Sequence, residues 1–141
     1  MAEKKVRLQI FTPRGLKIKE EADMLIMRCI DGDMGVLPGH APVSAALGDG
    51  ILRIINNNRT EQKIAVFGGV AVVGNALVKI MTTIAQRPGE IDIPRAEADR
   101  RMAELLLQER SEDAKIQSYQ VMLRRSLVRI EVSVNPRERD E

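Results

Sequence analysis

The hydrophobic pattern of this chain changes period once, at Pro88-Gly89, and that switch limits what it can fold into. Before it, Val6, Leu8 and Ile10 alternate with Lys5, Arg7 and Gln9, the period of a strand with one buried face. Thr12-Pro13-Arg14-Gly15 reads as a turn, Leu16 and Ile18 alternate with lysines, and Met24 to Ile30 supplies a third apolar run. Val43 to Leu47, Ile51 to Ile55, Ile64 to Phe67, Val70 to Val73 and Leu77 to Ile84 continue the series. Between them stand a turn at Gly48-Asp49-Gly50, the tip Asn56-Asn57-Asn58-Arg59, a bulge or bend at Gly68-Gly69 and a hairpin turn at Gly74-Asn75. Many short strands at close spacing predict an antiparallel sandwich or barrel.

Beyond the switch the spacing is helical. Asp92 is placed to cap a helix whose first turn tolerates Pro94, because early helical N–H groups have no intrahelical partner to lose. Ala98, Met102, Leu105 and Leu106 then share a face. Arg110-Ser111-Glu112-Asp113 interrupts it and offers Ser111 as the next cap, and Tyr119, Met122, Leu123, Ser126, Leu127 and Ile130 form the stripe of a second helix. The two predict an antiparallel helical hairpin. Its stripes are narrow and broken by small or polar residues, so its burial is modest and exchangeable. The expected fold is α+β by segments, with a β domain over residues 1–87 and a hairpin over 88–141.

A second feature is the string Gly32 to Pro42, which packs three glycines, two prolines and the only histidine, His40, into a strand-rich region. It predicts a shaped loop, neither helix nor regular strand, presented to a partner by a rigid scaffold. Composition narrows the partner. The aromatics are Phe11, Phe67 and Tyr119, too few for stacking platforms, so no nucleic-acid partner is expected. Net charge is +2, but residues 1–87 carry 12 Lys+Arg against 8 Asp+Glu while 88–141 carry 10 against 12, nearly all the latter cations being arginine. That suits specific ion pairs rather than a diffuse polyanion. The single Cys29 excludes an internal disulfide and reads as a buried thiol. No apolar stretch reaches about 18 residues and MAEKKVRLQI is not a signal peptide, so direct membrane insertion is not expected.

Three blocks carry a family resemblance: Gly35-Val36-Leu37-Pro38-Gly39-His40-Ala41-Pro42, Phe67-Gly68-Gly69-Val70, and Ile91-Asp92-Ile93-Pro94-Arg95-Ala96. On these the chain resembles the epsilon-subunit family of bacterial F-type, proton-translocating ATP synthases. The resemblance implies a β-sandwich of about ten strands joined to the hairpin, seated on the rotor between the gamma subunit and the proteolipid ring, peripheral on the cytoplasmic face of the plasma membrane. It implies a non-catalytic subunit. Asp33, Met34 and His40 match the part of the family's sandwich that rests on the ring. Arg124, Arg125 and Arg129 match basic residues that, in the extended hairpin, meet an acidic segment of beta near alpha and block ATP hydrolysis; guanidinium groups suit that pairing. Asp92, Arg95 and Ala96 match the family's I/L-D-x-x-R-A motif for a regulatory ATP, with Arg125 and Arg129 as further phosphate partners. No other cofactor is implied. Gln86 stands where ATP-binding members can carry glutamate, and Met102 where they can carry arginine.

Each residue also has a plainer role: Asp33 as a turn former, His40 bonded to nearby backbone, Asp92 as a cap, the arginines as a solvated face. His40, Ser44 and Asp49 are triad residue types without a nucleophile elbow, and no paired Cys or His spacing suggests a metal. The alternative to a rotor subunit is a free-standing sandwich interaction module with a helical tail.

Overall fold

The computed structural model describes residues 4–57, 60–109, 113–134 and 137–139. Among these residues eight strands precede the hairpin: β1 (Val6–Thr12), β2 (Gly15–Ala22), β3 (Met24–Cys29), β4 (Gly32–Val36), β5 (Val43–Ile55), β6 (Thr60–Val73), β7 (Leu77–Met81) and β8 (Ala85–Gln86). A 3₁₀ turn at Pro88–Glu90 leads into α1 (Ile93–Gln108), then α2 (Asp113–Val134) and a last strand, β9 (Arg137–Arg139). The sheet order is β2-β1-β7-β6-β5-β3-β4, with β8 and β9 also paired to β6. The β1–β7 pair is parallel; the other pairs are antiparallel.

Gly48-Asp49-Gly50 is not a turn. β5 runs straight through it, and its register with β6 holds from Val43↔Val73 to Ile55↔Glu61. Gly50 is required because Arg28 lies across the strand, and a Cβ there would come within 2.6 Å of Arg28 Cβ and Cγ. The expected bend at Gly68-Gly69 is present, with φ of +72° and +114°. It lets one strand serve two sets of neighbours: Ala65 and Val66 pair with β8 and Thr60 to Gln62 with β9, whereas Val70 to Val73 pair with β7. The expectation of about ten strands becomes eight before the hairpin, and counting the two limbs of β5 and of β6 separately accounts for the difference.

The start of the Gly/Pro string is strand, not loop. Gly32 at φ +125° closes a tight turn, after which β4 pairs with β3 from Cys29↔Gly32 to Leu25↔Val36. At a sheet edge, alternation of Met34 and Val36 with Asp33 and Gly35 suffices to hold a strand despite its glycines. Leu16 is exposed, although its parity matches buried Ile18. The pairing of β1 and β2 slips between Ile10 and Phe11, leaving Lys17 as an extra residue that turns Leu16 outward. The last expected strand stops at Met81; the Thr82 hydroxyl then lies 3.3 Å from the carbonyls of Phe67 and Ile84 and ends the pairing.

Leu8, Ile10, Ile18, Leu25, Ile54 and Ile80 fill the main core. A separate, smaller cluster of Ala65, Phe67, Ile91 and Val132, with Ile51, Ile84 and Val128 packed against it, joins α2 to the sandwich. The helix stripes differ from those expected. Met102 and Leu105 are 52% and 54% exposed and Leu127 is 47% exposed, while Ala96, Ala103, Ser126 and Val132 are buried. Helices meeting through alanine and serine approach closely, and Ser126 stays satisfied by donating to the Leu123 carbonyl at 2.8 Å. The expected cap Ser111 lies outside the described residues. Residues 88–141 are not purely helical, since β9 adds to the edge of β6.

Candidate functional site

Every candidate residue of the hairpin lies where it meets the sandwich. Arg87 and Glu90 brace the entrance: Arg87 pairs with Glu20 at 3.0 Å and Glu90 with Lys17 at 2.9 Å. Asp92 then caps α1, its Oδ1 accepting from the Arg95 N–H at 3.1 Å, with Pro94 in the first turn. A recess of about 310 Å³ opens beside this cap, lined by Asp92, Arg95, Ala96, Gln86 and Arg129 and by two further carboxylates, Glu90 and Asp99. Arg129 Nε donates to Gln86 Oε1 at 2.8 Å. Burial, then repulsion from Arg125 and Arg95, holds the Arg129 guanidinium below its usual pKa, with Asp99 opposing. An anion in the recess would relieve that repulsion.

Arg124 and Arg125 do not line the recess. Their partner is Asp49, whose side chain is only 8% exposed: Oδ2 accepts from Arg125 Nε at 3.0 Å and from Arg124 Nη2 at 3.3 Å. Directly across β5–β6 from Asp49 is Phe67. The guanidinium carbons of Arg125 and Arg129 stand 5.2 and 4.7 Å from its ring centroid, within cation–π range. Asp49 and Phe67 thus belong to the site, and sequence reasoning gave neither a place in it. The signal available was the unalternating run Ile64-Ala65-Val66-Phe67, which marks a strand covered on both faces.

The second group of candidates lies apart from the recess. Asp33 stands on β4 opposite Arg28 and pairs with its Nη1 at 3.4 Å in an exposed position. Met34 is half-buried against the main core. His40 follows in the loop after β4, where its backbone N–H donates to Leu37 at 3.2 Å and its Nδ1 lies 2.7 Å from the Ala41 carbonyl. Gly39, at φ +85°, ties this loop to the sandwich by donating to the Asn75 carbonyl at 2.8 Å. Ile30 and Leu37 are the exposed aliphatics flanking β4. Cys29 is buried, and burial first, then Asp31 and Asp33, pushes its thiol pKa up, so it is not poised as a nucleophile. Among the described residues no cluster of three metal-ligating side chains occurs, and no helix is long and apolar enough to cross a membrane.

A family model described as the ATP synthase delta/epsilon chain, beta-sandwich domain, matches residues 5–88. The ATP synthase epsilon chain of Syntrophomonas wolfei is 31% identical over 136 residues, covering 96% of this chain and 99% of its own. That of Bacillus velezensis is 36% identical over 132 residues, covering 94% and 99%. Among solved structures, a chain of the Euglena gracilis mitochondrial ATP synthase (OSCP, F1 and c-ring, rotational state 1) matches with a TM-score of 0.77 at 23% identity, over 96% of this chain and 84% of that one. At that identity the likeness speaks for the fold.

Proposed function

Because this chain belongs to the ATP synthase epsilon-chain family, we propose that it works as a non-catalytic rotor subunit of the central stalk, with the sandwich holding gamma and facing the proteolipid ring and the hairpin regulating hydrolysis. It would sit peripherally on the cytoplasmic face of the plasma membrane. Asp33, Met34 and His40 are the proposed ring and stalk contacts. A loop pinned at Gly39 and a sheet edge paired along β3 make a foot that passes on torque without yielding.

The observation that carries the regulatory part is the hairpin's attachment. It rests on a small apolar cluster separate from the main core, and Arg124, Arg125 and Arg129 all turn toward the sandwich. Such a joint can open without unfolding the sandwich, and opening frees three guanidinium groups for the carboxylates of beta. The recess beside Asp92 supports a regulatory ATP: Arg95 and Arg129 would meet phosphate, and a ligand held only by the folded-down hairpin favours that state. Glu90 and Asp99 in the same lining oppose an anion and weaken that affinity.

Deleting residues 88–141 should raise ATP hydrolysis by the assembled complex, and an unchanged rate refutes the inhibitory role. Calorimetric titration of the full chain with ATP should give heat that Arg95→Ala abolishes; no heat from either protein removes the nucleotide from the account.

A further inference from the structure

The arginines assigned to an acidic partner already have an acidic partner within this chain. Asp49 projects from the middle of β5 with glycine on either side. Among the described residues its carboxylate is ion-paired with Arg124 and Arg125, both on α2. Phe67, its cross-strand neighbour, offers a ring face to Arg125 and Arg129. One strand pair therefore presents a carboxylate and a π face side by side, and three guanidinium groups from two successive turns of one helix occupy them.

The stoichiometry is uneven. Asp49 brings one negative charge to two cations, Arg124 and Arg125, and Arg129 is held by the neutral Gln86 and the ring, with Asp99 attracting it from α1. A partner segment with several carboxylates offers these guanidinium groups more charge than the sandwich does, in the same two-point geometry. Resting on the reading that the hairpin regulates hydrolysis, we propose that Asp49 and Phe67 form a built-in receptor for the α2 arginines, so that hairpin release is an exchange of Asp49 for the carboxylates of an acidic polypeptide. The occupant of the clasp decides the position of the hairpin. While Asp49 holds Arg124 and Arg125, neither is free for another chain; once they pair elsewhere, Asp49 is left with one face on the sandwich and must be rehydrated.

The test uses the full chain with spin labels at Lys19→Cys on β2 and Gln120→Cys on α2, both exposed positions, and reads the fraction of molecules with separated labels. Asp49→Asn should raise the open-to-closed ratio about tenfold, the worth of charge-assisted hydrogen bonds at a half-buried site. Arg125→Gln should do the same from the other side and leaves the sandwich core untouched. The double variant should open less than the two single effects combined, because both remove the Arg125–Asp49 pair. Adding hexaglutamate peptide to the unsubstituted chain should open the hairpin, and Asp49→Asn should need about tenfold less peptide. Unchanged distances in both single variants, or full additivity in the double one, overturn the clasp. Increased opening in Asp49→Asn without decreased hydrolysis by the assembled complex upholds the clasp and instead refutes the inhibitory reading.

Discussion

Replacing Gly69 with alanine should cost far more than replacing its neighbour Gly68, although both have positive φ. At Gly68, φ of +72° is a backbone setting that alanine adopts at a cost of about 1 kcal/mol, and its Cβ would meet nothing closer than Asp49 Oδ1 at 4.0 Å. At Gly69, φ is +114°, outside the small left-handed region open to side chains, for about 1–3 kcal/mol. In addition its Cβ would stand 2.2 Å from the Met81 carbonyl oxygen and 3.1 Å from Met81 C and Thr82 Cα. These are backbone atoms of the neighbouring strand, so relief requires β7 to move by about 1 Å and strains the Val70↔Met81 pairing. The sum for Gly69→Ala is about 3–5 kcal/mol, a large fraction of the roughly 5–15 kcal/mol that stabilises an ordinary domain. With a urea m-value of about 2 kcal/mol/M, the midpoint should fall by about 2 M, against about 0.5 M for Gly68→Ala. Equal midpoints for the two variants would refute the close approach of β6 and β7 at the bend.

Asp92→Ala should cost about 1 kcal/mol of hairpin stability, read by helical ellipticity on heating, while Asp92→Asn keeps most of it because an amide oxygen still accepts the Arg95 N–H. Glu90 gives a pH dependence whose sign follows from its contacts. Burial pushes its pKa up, but the hydrogen bonds from Lys17 and the Arg87 backbone, with the charges of both residues, outweigh burial and leave it below its ordinary 4.5. Its contribution is therefore present above about pH 4.5 and is lost as pH falls through the lower folded value, so Glu90→Gln should be less stable than the parent at pH 7 and converge on it in acid. A constant difference across that range would refute the Lys17 pairing.

Much of the sandwich was legible because burial on one face writes itself as alternation. Val6, Leu8 and Ile10 are all buried, as their spacing demands. What alternation cannot report is a strand that crosses the molecule. Gly48-Asp49-Gly50 has the composition of a turn, and only the side chain of Arg28, 22 residues before Gly50, explains why glycine is needed at that position inside β5. Leu16 was misread for a related reason, since a bulge in a partner pairing inverts faces without leaving a local mark. The helices failed differently. Hydrophobic spacing assigns contact to the largest apolar residues, yet the hairpin closes on Ala96, Ala103 and Ser126, where smallness allows approach, and leaves Met102 and Leu105 outside.

The candidate site was legible to the extent that its chemistry lay in one helix or one motif. Asp92, Arg95 and Ala96 are consecutive in space because they are nearly consecutive in the chain, and a cap needs nothing from elsewhere. Arg124, Arg125 and Arg129 were identifiable as a cationic set for the same reason, but their present partners were not. Asp49 and Phe67 are 18 residues apart and 57 or more from any of the three arginines, and only the β5–β6 register makes them neighbours. That distance bears on mechanism. On the proposed exchange, a contact built across the whole chain exists only while the hairpin is docked, whereas the arginines stay together on α2 in any position it takes. The stable part of the site is thus the helix with its charges, and the conditional part is the carboxylate that answers them, which is the arrangement a switch requires when one cationic surface must be offered in turn to its own domain and to another chain.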